Sequence, residues 1–168
     1  MKALRVLGSK KKWVTATVGV VVIGTLASVA LANHLPFNFT TTPVATGNLV
    51  SDVKQNSDRV KFQTKDPTDV RVARIDIAPG GRSGWHHHPG IVIVTVAQGA
   101  VTFTHSDCTS KTYGPGQPDG AVFVEGGDEP AQASNQGTTA VITYATFIAP
   151  HNSPPVFRID DHEFAGCP

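Results

Sequence analysis

Three consecutive histidines, His86, His87 and His88, sit inside GGRSGWHHHPGIVIVTVAQG, residues 80–99. Histidine is the commonest metal ligand near neutral pH. Side chains alternate along a strand, so His86 and His88 point to one side and His87 to the other. Two imidazoles at i and i+2 can converge on one ion, but a useful site needs three or four ligands, with an open position if it is catalytic. The same two imidazoles can also serve as hydrogen-bonding groups in a metal-free pocket, or be held by packing alone. The other histidines carry less. His105 shares a face with Val101 and Phe103 at a strand end and reads as a core or rim histidine with a local partner, while His34, His151 and His162 lie in irregular segments.

The elements that must position these side chains read as strands. Val70–Ala78 (VRVARIDIA) alternates, with Arg71, Ala73, Ile75 and Ile77 on one face, and Pro79-Gly80-Gly81 ends it. Trp85–His88 and Ile91–Ala97 follow, interrupted by Pro89-Gly90, and Gln98-Gly99 turns the chain into Ala100–His105. Residues 106–120 read as a loop, Ala121–Glu125 and Ala131–Ser134 as strands around the turn Gly126-Gly127-Asp128, and Thr138–Ile148 as a long last strand. Leu49–Val53 and Val60–Thr64 are further strand candidates, residues 33–48 read as a linker, and residues 149–168 as an irregular tail packed back on the domain. About eight short strands, frequent turns and no convincing amphipathic helix indicate an all-β sandwich or closed barrel. The apolar run IVIVTV suits a strand covered on both faces.

Composition narrows the setting. Residues 1–12 are basic, residues 13–32 carry no charge, and Ala30-Leu31-Ala32 offers a cleavage site, so residues 1–32 read as a signal peptide or as an uncleaved membrane-anchor helix. Both readings put the rest of the chain outside the cytoplasm, secreted or membrane-anchored. Five of the fourteen basic residues lie in that segment, which leaves nine against thirteen acidic ones, a net charge of −4. Such a surface argues against nucleic acid as a partner. Cys108 and Cys167 are the only cysteines, and an exported chain would join them in a disulfide across 59 positions.

The central stretch resembles the first motif of the cupins, small β-barrels, which runs G-x5-H-x-H-x3-E-x6-G. Gly80, His86, His88 and Gly99 fall on that spacing, and Gly116–Asn135 is similar to the second-motif region. The resemblance covers about residues 60–150. It implies a double-stranded β-helix, or jelly-roll barrel, over residues 56–150, preceded by a linker and first strand over 33–55 and followed by a tail over 151–168. The implied central pocket would be bordered by Trp85, Val92, Phe103, Phe123 and Ala131. In the family that pocket often holds one divalent metal ion (Fe, Mn, Zn, Ni or Cu) on two histidines and a glutamate of the first motif and a histidine of the second.

Two positions depart from the pattern. The glutamate position is Val92 and the second-motif histidine position is Ala131, and neither side chain can coordinate an ion. A metal on His86 and His88 therefore needs a substitute carboxylate. Glu129, which has the strand parity of Ala131, is the expected third ligand, with Glu125 and Asp128 as alternatives. The functions left open are a small-molecule or divalent-metal pocket, a metal-dependent oxidase, dioxygenase or isomerase of a small organic substrate, and a non-catalytic module of the cell envelope. A homodimer is a further expectation from the resemblance. No G-x-S-x-G elbow, phosphate-binding glycine loop or zinc C-x-x-C pair occurs.

Overall fold

The computed structural model describes residues 35–154, 157–162, 164, 166 and 167. The expected signal or anchor helix and His34 lie outside these residues. Among the described residues, no helix is long and apolar enough to cross a membrane.

Among the described residues all regular structure is β. Ten strands occur in the order β1 (Phe37–Leu49), β2 (Lys54–Asn56), β3 (Lys61–Gln63), β4 (Thr68–Arg82), β5 (His86–Gln98), β6 (Val101–His105), β7 (Ser110–Tyr113), β8 (Val122–Ser134), β9 (Val141–Pro150) and β10 (Ile159–Asp160). The main sheet runs β1-β4-β9-β5-β8-β6-β7, with β10 on β5, and β2 and β3 form a separate ribbon. Its long strands bend. β4 pairs with β9 from Thr68 to Ile77, and beyond Pro79-Gly80-Gly81 its last residue, Arg82, meets Ser134 of β8. The sheet thereby curls back on itself and encloses a core.

Alternation sets the core. On β4, Ala73, Ile75 and Ile77 point inward, whereas Arg74 and Asp76 face out and form a two-point ion pair (2.6 and 2.9 Å). On β5 the even positions are inward: His86, His88, Val92, Val94 and Val96 are all buried. The run IVIVTV is not covered on both faces, because Ile91 and Ile93 are 53% and 37% exposed beside exposed Val122 and Val124. One buried face in a strongly apolar strand is enough to fix its register.

Three elements differ from the sequence-based expectation. Residues 37–48, expected as linker, form β1 with Leu49, an antiparallel partner of β4 whose side chains are mostly exposed and so lack the apolar periodicity of a core strand, and the strand expected over Leu49–Val53 ends at Leu49. The expected loop after His105 contains β7. Pro89-Gly90 and Gly126-Gly127 do not end strands, but lie at shifts in the β5–β8 register. There the backbones approach so closely that a Cβ at Gly126 would collide with the Gly90 carbonyl oxygen, and one at Gly90 with the Ile148 carbonyl oxygen. Only glycine permits that contact, which brings the His88 end of β5 next to the Glu125 end of β8.

Candidate metal centre

His86, His88 and Glu125 form one cluster, their nearest ligand atoms all within 4.8 Å of one another. The two imidazoles project from the inner face of β5, 6% and 5% exposed, with ring centroids 4.8 Å apart and planes nearly perpendicular. Each ring is oriented through Nδ1. His86 Nδ1 donates to the Gly84 carbonyl oxygen (2.9 Å), and His88 Nδ1 donates to that of Phe157. A carbonyl only accepts, so these bonds put the proton on Nδ1 and leave the Nε2 lone pairs for another partner. His88 Nε2 is buried and has no hydrogen-bond partner among the described residues, and Glu125 Oε1 stands 3.7 Å from it.

The electrostatics suit a cation. Burial pushes the His86 pKa well below its usual value and lowers that of His88, with the charge of Arg158 acting in the same direction on both. Both rings are therefore neutral near pH 7, the form that binds metal. Burial also pushes the Glu125 carboxyl up to about 7, against the opposing effect of Arg158. A buried carboxylate with a raised pKa favours a neighbouring positive charge. Two neutral imidazoles, one of them with an orphaned buried Nε2, and a carboxylate fit a divalent ion bound with open coordination positions.

The carboxylate comes from β8, as expected, but from Glu125, named only as an alternative to Glu129. Val92, at the family's glutamate position, lies directly across the β5–β8 ladder from Glu125. Directly opposed residues share a face with Cβ atoms about 5 Å apart, so Glu125 delivers its carboxylate into the region that a glutamate at 92 would serve. Glu129, the expected third ligand, is not in the cluster. Between the pairs His86–Ala131 and His88–Gly127, β5 advances two residues and β8 four, so residues 128–130 bulge out of register. Parity with Ala131 does not survive that bulge. Asp128 is exposed, and Glu129 accepts a hydrogen bond from His105 Nδ1 (3.1 Å) at the exposed end of β6.

The cluster opens into a cavity of about 320 Å³ whose walls include Phe39, Ile75, Ile77, Val94, Val101 and Phe123. Of the expected pocket residues only Phe123 lines it. Trp85 is buried against Phe164 (ring centroids 4.9 Å), and Phe103 packs between Phe123 and His105. Val92 and Ala131 are buried, but the larger neighbours Glu125 and His86, each paired with one of them, stand toward the cavity in their place.

Sequence reasoning missed two cations and a carbonyl. Arg71 and Arg158 line the cavity, and Arg71 lies over the Phe157 ring, 4.6 Å from its centroid. Arg71 was legible in principle, since it shares the inward parity of Ala73, Ile75 and Ile77. Arg158 and the Phe157 carbonyl come from the tail, which has no periodicity to read. That tail is fastened along the histidine segment: Ile159 and Asp160 pair with His87 and His86, and Asp161 accepts from His87 Nδ1 (2.7 Å). A disulfide between Cys108 and Cys167 (Cα–Cα 4.9 Å) ties its end to the loop between β6 and β7.

This barrel, with its inward donor cluster opening into a cavity, defines a class: a β-barrel pocket protein with a metal-type ligand set. Solved structures identify the architecture. A cupin-2 domain from Rhodospirillum rubrum superposes with a TM-score of 0.53 at 12% identity, over 95% of this chain and 84% of that one. A double-stranded β-helix protein from Klebsiella pneumoniae aligns with a TM-score of 0.49 at 16% identity, over 90% and 100% of the two chains. An oxalate oxidase aligns at 24% identity and a TM-score of 0.41, over 51% of this chain and 44% of that one. On the first of these superpositions the fold is that of a cupin-2 domain. No family profile matches the sequence, and no curated protein matches it.

Proposed function

We propose that this protein binds one divalent metal ion on His86, His88 and Glu125 and uses the adjoining cavity to hold a small organic molecule. The observation that carries this reading is the convergence of two Nδ1-anchored imidazoles and a buried carboxylate around the unpartnered Nε2 of His88. When bound, the ion would supply Lewis acidity and open positions for an oxygen ligand. The chain's own part is to fix both rings through backbone carbonyls, to hold them neutral by burial, and to screen the bound molecule from water with apolar walls. Metal-assisted oxidation or isomerisation of the bound molecule is the reaction class we favour, on analogy of fold alone.

Metal analysis of the purified protein tests this. We expect about one Fe, Mn, Zn, Ni or Cu per chain, absent in the His86→Ala/His88→Ala variant. Metal-free protein whose thermal stability is unchanged on adding these ions would sink the reading. In that case the apolar lining of the cavity favours a metal-free binding module, with the histidines as hydrogen-bonding groups. We also propose that the barrel works outside the cytoplasm. The basic-then-apolar residues 1–32 and the Cys108–Cys167 disulfide both support this. A fusion of residues 1–32 to a reporter active only after export tests it, and a reporter retained in the cytoplasm would contradict it.

A further inference from the structure

We propose that the cavity selects small apolar anions, with the anionic group held by Arg158 beside the metal cluster and the hydrocarbon part against the barrel wall. This rests on the reading above for the location of the site and adds the chemical class of its ligand. Arg158 is mostly buried, its side chain 18% exposed, and it lines the same cavity as His86, His88 and Glu125. Its position is fixed twice. Nε donates to Asp160 Oδ1 (2.6 Å), and Nη2 donates to the carbonyl oxygen of buried Ser83 (2.8 Å). A guanidinium has five N–H donors in a rigid fork, so these bonds leave most of the fork uncommitted among the described residues.

Largely buried donors seek acceptors. Glu125 is the acidic side chain that shares this cavity with Arg158, and in the proposed site its charge faces the metal. Asp160, the other acidic contact of Arg158, is 57% exposed and sits on the solvent side of the guanidinium. An incoming carboxylate, enolate or phenolate fits the place left open, because it can accept from the guanidinium while lying next to the metal ligands. The rest of the cavity sets the other half of the ligand. Beyond Arg71, which lies over the Phe157 ring, and the hydroxyls of Thr41, Ser83 and Thr143, the wall is apolar: Phe39, Ile75, Ile77, Val94, Val101 and Phe123 offer no charge and no hydrogen bond. At the ~30 Å³ that one water occupies in the liquid, a 320 Å³ cavity holds about ten non-hydrogen atoms. A small aryl or alkyl acid has that size and that polarity. The anchor comes from the tail segment that also supplies the Nδ1 partner of His88.

The test measures binding of hexanoate and benzoate against hexanamide and benzamide by calorimetry on the full chain, Zn²⁺-loaded and metal-free. We expect the acids to bind about ten- to a hundredfold more tightly than the amides, with affinity rising about fourfold per methylene from butanoate to hexanoate. Arg158→Gln is expected to lose the preference for acids while keeping its Zn²⁺ stoichiometry. Equal binding of acids and amides by the wild type, or acid binding undiminished in Arg158→Gln, overturns the proposal. The wild-type comparison needs no variant, so misfolding of Arg158→Gln leaves the proposal testable. If the wild type takes up no metal, the metal reading fails by itself. The acid preference of the metal-free protein then decides this inference separately.

Discussion

Two histidine–glutamate groupings flank Ala131, one buried in the barrel and one at its exposed end. Ala131 pairs with His86 on β5 and with His105 on β6. Inside, the histidines spend Nδ1 on backbone carbonyls and keep Nε2 for Glu125 and whatever lies between them. At the exposed end, His105 spends Nδ1 on Glu129 itself, with side chains 34% and 58% exposed, and the pair satisfies itself beside solvent. The residue types are the same in both. What separates a donor set from a surface ion pair is burial, together with a second hydrogen bond that frees the coordinating nitrogen and fixes its direction.

The comparison is most sharply strained through the disulfide, because the tail it fastens carries the Nδ1 partner of His88. Cys108→Ser/Cys167→Ser removes a closed loop spanning 59 positions and is expected to cost about 4 kcal/mol in the chain-entropy model, read from denaturant midpoints. Metal affinity should fall in the same variant even where it is fully folded. An unchanged affinity would show that the tail does not orient the inner site.

The next effect is in pH. The inner carboxyl titrates at about 7 in the metal-free protein, so metal binding below that pH must expel its proton. Affinity is then expected to fall about tenfold per unit as pH drops below 7, down to the lowered range of the two histidines. Glu125→Gln should abolish that slope. Zn²⁺ titrations between pH 5.5 and 8 measure it, and a flat profile in the wild type would contradict the role of Glu125.

The smallest effect belongs to the outer pair. His105→Ala and Glu129→Gln are expected to change stability by no more than about 0.5 kcal/mol in thermal or denaturant unfolding, the usual range for exposed substitutions. A large loss would mean that the surface pair is structural after all.

The barrel and the shared inward face of His86 and His88 were legible because each leaves a local signal: alternation, turn residues, and an i, i+2 spacing that survives whatever the rest of the chain does. Glu125 was only one of three candidates. Its selection depends on a register, Val92 opposite Glu125, and on the bulge at residues 128–130, and both are pairing facts between strands distant in sequence. The tail was least legible. Phe157 and Arg158 act through a carbonyl and a single side chain in a proline-rich segment, placed by β10 and a disulfide rather than by any pattern of their own. β1 was missed for a related reason: an edge strand with exposed side chains has no buried face to write alternation into its sequence.

The central claim is that the inner glutamate, and not the outer one, completes the metal site. Zn²⁺ binding to the wild type, Glu125→Gln and Glu129→Gln, followed by equilibrium dialysis at pH 7.5, tests it most directly. We expect about one ion per chain in the wild type and in Glu129→Gln, and a loss of at least about a hundredfold in affinity in Glu125→Gln. Binding that survives Glu125→Gln and disappears in Glu129→Gln would contradict the account.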